Sequence, residues 1–178
     1  ISRPFDYSES KLMDIKSSID SSNLESIDRA NKDLPNIIYV QLESFMDVEY
    51  IDKLECSEDP IPTFRRLKEE YTSGLIMVPV VGGGTANTEF EVLTSMSMSA
   101  FKGGEYPYIT LLQNQTCDSV AYDLTNKGYA THAMHDNYGS FYNRDEVYSN
   151  LGFKDFTSIE YMYNVDYNEK GWAKDDVL

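Results

Sequence analysis

Apolar residues fall into three short runs along the chain, at 37–42, 75–80 and 129–134. The first is rich in β-branched residues, and Pro79 in the second favours an edge or a strand end. Runs of this length between turn residues are typical of strands that are covered on both faces. They therefore predict three core strands.

The segments between these runs carry apolar residues at helical spacing, with favoured cap residues before them and glycines after them. Strands that alternate with helices predict an α/β fold with an at least partly parallel sheet. We predict a helix capped by Thr63 and ended by Gly74, a helix over 86–98, a helix over 119–126 closed by Gly128, and a helix over 144–151 that Asn143 caps and Gly152 follows.

Residues 1–33 are polar and hold two short helical patterns, at 11–19 and 24–27. Ser22 and Glu25 match a capping box at the start of the second pattern. The chain does not begin with Met, and no run approaches the roughly 18 to 20 apolar residues that a membrane span needs. We therefore expect a piece of a longer polypeptide, with a helical segment at 1–33 and a domain from residue 34 to 178.

Charge excludes one large class of function. Thirty acidic and fifteen basic residues give a net charge of −15, which repels nucleic acid. Cys56 and Cys117 are too few for a disulfide scaffold, and their spacing matches no short zinc motif. We assign no role to either cysteine.

Polar residues follow each predicted strand, where ligands bind in open α/β sheets. Glu43 follows the first strand, Thr85 follows the second through three glycines, and His135 follows the third. A carboxylate at a buried strand end needs a compensating partner, such as a metal ion. The alternative for Glu43 alone is a solvated carboxylate.

Thr85 lies where the glycine turn meets a predicted helix, a place that favours phosphate binding. Its hydroxyl could attack phosphorus there, or could simply cap the helix. The Gly-x-x-x-x-Gly-Lys pattern of a nucleotide P-loop is absent. His135, Tyr142 and Arg144 lie in the next loop and suit an anionic substrate, although a structural histidine and a surface arginine are the alternatives.

Together these segments resemble the lipoteichoic acid synthase and phosphoglycerol transferase branch of the sulfatase and alkaline phosphatase superfamily. The resemblance runs from about residue 35 to the end of the chain. It implies a layered sheet with flanking helices, of which the chain holds the N-terminal portion. The matching blocks, in order, are 36–45, 82–91, 128–137, 140–148 and 171–176.

The resemblance also implies a mechanism. Glu43 and Thr85 would bind Mn²⁺ or Mg²⁺, and Thr85 would attack the phosphorus of the phosphatidylglycerol head group. A glycerophosphoryl-threonine would form and then pass glycerol phosphate to a growing polymer of the lipoteichoic acid type. His135 and Arg144 would contact the glycerol phosphate, and Tyr142 stands where the family usually has Trp.

The family's remaining metal ligands, an Asp-His pair and a further His, would lie beyond residue 178. We therefore expect little or no turnover from this chain by itself. In the family the catalytic domain follows several transmembrane helices and faces outward, which implies an extracellular catalytic domain anchored in the cell membrane.

Three rival functions stay open. A sulfatase needs Cys or Ser in a motif with Pro and Arg, whereas Thr85 is followed by Ala86-Asn87-Thr88-Glu89. A phosphoethanolamine transferase also uses a threonine and a metal. A non-catalytic module that binds a glycerol phosphate polymer is the rival from another class.

Overall fold

The structure is a computed structural model that describes residues 8–22, 34–42 and 45–178. The chain divides into two compact units, residues 1–40 and 41–178, and each is described by itself. In the first unit, helix α1 spans Glu9–Ser22 and extends the helix predicted at 11–19. The helix predicted at 24–27, with Glu25 of its capping box, lies outside the described residues.

The second unit combines short helices with a small parallel sheet. Strands β1 (His132–Met134) and β2 (Asp155–Thr157) pair in parallel, with His132 opposite Asp155 and Met134 opposite Thr157. This pairing and the intervening helices confirm the predicted α/β class. The elements are α2 (Pro62–Glu70), α3 (Ala86–Thr94), α4 (Pro107–Thr110), α5 (Val120–Asn126), β1 (His132–Met134), α6 (Arg144–Asn150) and β2 (Asp155–Thr157), with single 3-10 turns at Val48–Tyr50, Met98–Ala100, Phe141–Asn143, Ile159–Tyr161 and Asp175–Val177.

Three helices form the core of this unit. Phe90 of α3, Tyr108 of α4 and Val147 of α6 are fully buried in one cluster, together with Leu112 and Leu151. Burying each such side chain contributes about 1.5–3 kcal/mol relative to leaving it in water. The start of α3 and the start of α6 are therefore held by the same core.

Two of the three predicted core strands are wrong. Residues 37–42 and 75–80 form no strand, and Ile38 and Met77 are 84% and 95% exposed. The apolar composition is that of a strand, but a strand also needs neighbours that pair its backbone groups. The described residues provide no such neighbour for either run.

The third strand is confirmed at its C-terminal half as β1, but its partner β2 was not predicted. Asp155-Phe156-Thr157 carries a single large apolar residue, so neither alternation nor an apolar run marks it. The sheet therefore pairs β1, whose sequence predicts a strand, with β2, whose sequence does not.

Helix boundaries also differ from the prediction in detail. Helix α2 begins at Pro62, which needs no amide partner at the first position, so Thr63 is not its cap. Helix α3 ends at Thr94 because Ser95 adopts a left-handed conformation. Asn143 precedes α6 as predicted, but it too is left-handed and its side chain makes no capping hydrogen bond.

The helix predicted at 119–126 is confirmed as α5. Ser119 caps it by accepting hydrogen bonds from the backbone amides of Ala121 and Tyr122. The Ser119 hydroxyl also donates to the Leu151 carbonyl, which ties the start of α5 to the end of α6. Among the described helices none is long and apolar enough to cross a membrane.

We expect Gly152→Ala to destabilise the protein more than Gly128→Ala. Both glycines have a positive φ, 83° and 91°, so alanine costs about 1–2 kcal/mol of backbone strain at either. Only at Gly152 would the added Cβ lie 2.7 Å from the Tyr122 ring, whereas nothing lies within 4 Å at Gly128. Urea unfolding of the two variants measures the difference, and equal losses would contradict the packing of Tyr122 on Gly152.

Candidate active site

Thr85 follows a turn of three glycines and immediately precedes α3. Gly82, Gly83 and Gly84 all have positive φ values, of 71°, 158° and 81°. Thr85 is half-buried, and its side chain makes no capping hydrogen bond to α3. The alternative of an ordinary N-cap is therefore not supported, and the Thr85 hydroxyl is not used to start the helix.

The glycine turn is packed against an aromatic side chain. A Cβ on Gly84 would lie 2.7 Å from the Tyr106 hydroxyl, so only glycine allows this approach. The ring of Tyr106 in turn lies 5.5 Å from the ring of Tyr142, between centroids. The turn before Thr85 and the loop that holds Tyr142 are therefore joined through one tyrosine.

Tyr142 and Asn143 are consecutive residues in the left-handed region, with φ values of 58° and 52°. Such conformations are costly for residues other than glycine, of order 1–3 kcal/mol each, and persist only where the surroundings enforce them. Here the Tyr142 ring packs on Phe141 at 4.8 Å between centroids. The strained pair turns the chain directly into α6.

Arg144 is not a surface charge, because its side chain is 0% exposed. Its Nη2 and Nε atoms donate to the two carboxylate oxygens of Glu89 in a bidentate ion pair. Its Nη1 donates to the Phe141 carbonyl at 3.1 Å. The guanidinium lies 5.3 Å and 5.4 Å from the ring centroids of Phe141 and Tyr142.

Glu89 is the acceptor at the centre of this network and is itself 6% exposed. The hydroxyls of Tyr108 and Tyr148 donate to its Oε2 at 3.1 Å and 3.0 Å. Burial alone lowers the pKa of Arg144, but the hydrogen bonds and charge of Glu89 raise it overall. Burial and the charge of Glu89 raise the pKa of both tyrosines, so all three donors keep their protons.

His135 follows β1, and its side chain is 15% exposed. Its Nδ1 accepts a hydrogen bond from the Asn137 backbone amide at 3.0 Å, which places the proton of the neutral ring on Nε2. Burial first, and then the charge of Arg144, lower the pKa of His135. Asp136 lies 3.6 Å from Nδ1, too far for a hydrogen bond, so we assign a neutral ring.

The segment between His135 and α6 is fixed at several points by the chain that follows β2. The Gly139 amide donates to both oxygens of the Glu160 carboxylate, at 3.1 Å and 3.2 Å. The Ile159 amide donates to the Asn137 carbonyl at 3.1 Å. The first half of the loop that carries the candidate substrate residues is thus anchored at Asn137 and Gly139.

Of the five predicted site residues, the structure describes four and brings three of them together; the roles of all five stay predictions. Tyr142 and Arg144 are in contact, and the His135 ring lies 6.5 Å from the Phe141 ring beside them. Glu43 lies outside the described residues, so its approach to Thr85 stays a prediction. A cavity of about 290 Å³ adjoins Tyr142 without reaching Thr85, and its lining is Ile109, Gln113, Ser140, Phe141, Tyr142 and Asn143.

Comparison with known proteins identifies the family of the chain. The sulfatase family model matches residues 35–178. The chain belongs to the sulfatase family. It is 38% identical over 128 residues to a protein of Rhizobium meliloti named for cyclic β-1,2-glucan modification, covering 72% of the chain and 19% of that protein. It is 30% identical over 138 residues to the lipoteichoic acid synthase of Staphylococcus aureus, covering 75% of the chain and 21% of that protein.

A solved structure matches almost the whole chain. The Streptococcus pyogenes phosphoglycerol transferase GacH, in complex with sn-glycerol-1-phosphate, superposes on 99% of the chain and 48% of its own length. The TM-score is 0.81 and the sequence identity is 26%. The predicted sulfatase-like fold is confirmed by this match. The chain spans about a fifth of the length of the curated relatives that it matches.

The residues assigned to a metal are one carboxylate and one hydroxyl, of which the described part of the chain holds only Thr85. Oxygen donors of this kind suit Mg²⁺ and Mn²⁺, so the chemistry of the assigned ligands fits a hard divalent cation. Within residues 8–22, 34–42 and 45–178 there is no group of three or more His, Cys, Asp or Glu side chains that could hold a metal. The metal assignment to Glu43 and Thr85 therefore stays a prediction.

Sequence reasoning missed the buried acceptor Glu89 and the tyrosines around it. The signal was present for Glu89, because it lies on the same face of α3 as the buried Ala86 and next to Phe90. A carboxylate on an apolar helix face predicts a buried partner. No comparable signal marked Tyr106, Tyr108 or Tyr148, since their contacts depend on the tertiary fold.

We expect His135 to titrate below pH 6.5 in the folded chain, because burial and Arg144 disfavour its protonated form. Its contribution to stability is then complete above pH 6.5 and is lost as pH falls through the lower pKa of the folded state. The chain has two histidines, so NMR of the His132→Gln variant observes His135 alone. A midpoint at or above 6.5 would contradict the neutral ring.

Proposed function

We propose that this sulfatase-family chain belongs to an enzyme that transfers glycerol phosphate from phosphatidylglycerol to an acceptor polymer, with Thr85 as the nucleophile. One observation carries the proposal. The chain superposes over 99% of its length, with a TM-score of 0.81, on a phosphoglycerol transferase solved with sn-glycerol-1-phosphate. The sulfatase, lipoteichoic acid synthase and transferase similarities all point to reactions at a phosphate or sulfate ester.

The proposed reaction has two displacement steps at one phosphorus atom. In the first, the Thr85 hydroxyl oxygen bonds to the phosphorus of phosphatidylglycerol, and the bond from phosphorus to the diacylglycerol oxygen breaks. Diacylglycerol leaves with a proton, and glycerol phosphate stays on Thr85 as a phosphodiester. In the second, an acceptor hydroxyl attacks the phosphorus, releasing the Thr85 oxygen, which regains a proton.

The start of α3 suits the first step. Thr85 is half-buried beside the glycine turn, and its hydroxyl makes no capping bond. Backbone amides at a helix start favour bound phosphate. We propose that Glu43 and Thr85 hold Mn²⁺ or Mg²⁺; a divalent cation there would lower the pKa of the attacking hydroxyl and neutralise charge on the phosphoryl oxygens.

The loop before α6 suits the glycerol phosphate group. His135 presents a neutral ring whose Nε2 carries the proton, so this atom can donate to a phosphate or glycerol oxygen. Arg144 lies against Tyr142 and Phe141 and donates to the Phe141 carbonyl, so it holds this loop in place. Tyr142 offers an aromatic surface and a hydroxyl in the place where the family usually has Trp.

The acceptor is proposed from the relatives' names. One relative is named as a lipoteichoic acid synthase and another for cyclic β-1,2-glucan modification. Both names imply a polyhydroxyl acceptor, so we propose a lipoteichoic-acid-type polymer first and a glucan second. By the same resemblance we propose that the full-length protein is anchored in the cell membrane with its catalytic domain outside.

We expect Thr85→Ala in the full-length protein to lower the release of diacylglycerol from phosphatidylglycerol at least about a thousandfold, because the attacking oxygen is lost. The matched control is Thr72→Ala, at an exposed threonine, which should act like wild type. Removal of metal with a chelator should abolish release, and Mn²⁺ or Mg²⁺ should restore it.

The same assay separates the rival functions. Release from phosphatidylethanolamine in preference to phosphatidylglycerol would indicate a phosphoethanolamine transferase. Hydrolysis of an aryl sulfate would indicate a sulfatase. Binding of a glycerol phosphate polymer without any release, with metal present, would indicate a non-catalytic module, and Thr85→Ala with wild-type release would overturn the assignment of the nucleophile.

A further inference from the structure

Glu89 occupies an unusual position, since it is a carboxylate nine-tenths buried within the core of α3, α4 and α6. Burying an ionised carboxylate costs several kcal/mol unless a counter-charge and hydrogen bonds compensate it. Glu89 receives both, from the Arg144 guanidinium and from two tyrosine hydroxyls. A site this completely satisfied fixes the geometry of every group that it contacts.

The network reaches the proposed reaction centre from two sides. On one side, the Glu89 amide donates to the Thr85 carbonyl at 3.0 Å, so the carboxylate lies one helical turn after the proposed nucleophile. On the other side, Glu89 holds the Nε and Nη2 edge of Arg144. The remaining terminal nitrogen, Nη1, donates to the Phe141 carbonyl. Phe141 lies in the loop between His135 and α6, which we call the substrate loop.

We infer that Glu89 is a positioning residue, which orients Arg144 and ties the Thr85 helix to the substrate loop for phosphoryl transfer. The inference rests on the proposed function. Glu89 makes no contact with substrate in this role and acts through Arg144. Tyr108 and Tyr148 hold the carboxylate in turn, so that the guanidinium has one orientation against Phe141 and Tyr142.

A purely structural ion pair would have a different effect on the site. It would stabilise the fold but leave the substrate loop unchanged once the protein is folded. The charges of Glu89 and Arg144 both reach His135, where Arg144 lowers the pKa and Glu89 raises it; Asp136 also raises it. Removing the Glu89 charge should therefore lower the pKa of His135, and the His135 titration reports this electrostatic coupling between the ion pair and the loop.

The test is a double-mutant cycle in the full-length protein. Glu89→Gln keeps the shape of the side chain but removes the charge that holds Arg144. We expect it to lower kcat/KM for phosphatidylglycerol about 10- to 100-fold, as is usual when a group that orients a functional side chain is lost. Because Glu89 acts through Arg144, adding Glu89→Gln to Arg144→Gln should cost no further activity. If the two losses multiply instead, Glu89 does not act through Arg144, and the inference fails.

The second readout does not depend on activity. In the chain studied by NMR, Glu89→Gln should lower the titration midpoint of His135, and Glu89→Gln with Arg144→Gln should bring it back toward wild type. An unchanged midpoint in Glu89→Gln would overturn the inference. If the wild-type protein transfers no glycerol phosphate, the proposed function fails. The midpoint of the His135 titration then tests by itself whether Glu89 acts on the loop through Arg144.

Tyr148→Phe is a milder variant that tests the inference if Glu89→Gln or Arg144→Gln does not fold. It removes one charge-assisted hydrogen bond to Glu89 but leaves both charges and the Tyr108 hydrogen bond in place, so we expect a smaller loss in kcat/KM than in Glu89→Gln. The His135 midpoint should not move. A loss in Tyr148→Phe as large as that in Arg144→Gln would show that general packing, and not the orientation of Arg144, governs the reaction.

Discussion

The buried ion pair between Glu89 and Arg144 is the interaction on which the rest of the second unit depends. Glu89 comes from α3, while Arg144 and Tyr148 come from α6 and Tyr108 comes from α4. Two desolvated charges are tolerated only in a geometry that satisfies both. The three helices can therefore pack in few other ways, and the start of α3 takes a fixed place relative to the loop before α6.

That fixed place accounts for the strain in the loop. Tyr142 and Asn143 both adopt left-handed conformations, and their cost is offset by contacts on either side. Tyr142 packs between Tyr106, which covers the glycine turn, and the Arg144 guanidinium. The Tyr142 ring, the paired Arg144 guanidinium and the glycine turn before Thr85 thus meet in one small region.

The sequence predicted the helices better than it predicted the sheet. Helices α5 and α6 follow from local signals, namely the Ser119 cap and the left-handed Gly152, which act within a few residues. The runs at 37–42 and 75–80 have strand composition, but a strand is defined by its partners, and the described residues supply none. Strand β2 shows the converse, since β1 makes a strand of a segment with little propensity of its own.

The same distinction holds for the candidate site. Thr85 and His135 could be singled out as candidates because each follows a predicted strand, and Tyr142 and Arg144 because they lie in the next loop; a family resemblance tied the four together, and their roles stay predictions. The contacts that orient them could not be found, because Glu89 and Arg144 are 55 residues apart and meet only through the packing of α3 on α6. The sequence predicts that Arg144 contacts substrate, whereas in the structure its buried side chain forms an ion pair with the Glu89 carboxylate.

We propose above all that the Thr85 oxygen attacks phosphorus. Phosphatidylglycerol labelled in its head group, mixed with the metal-loaded full-length protein in the absence of acceptor, tests it most directly. Mass spectrometry of the peptide that contains residues 82–91 should then show one glycerol phosphate on Thr85, and acceptor should remove it. Turnover without any label on this peptide would contradict the account.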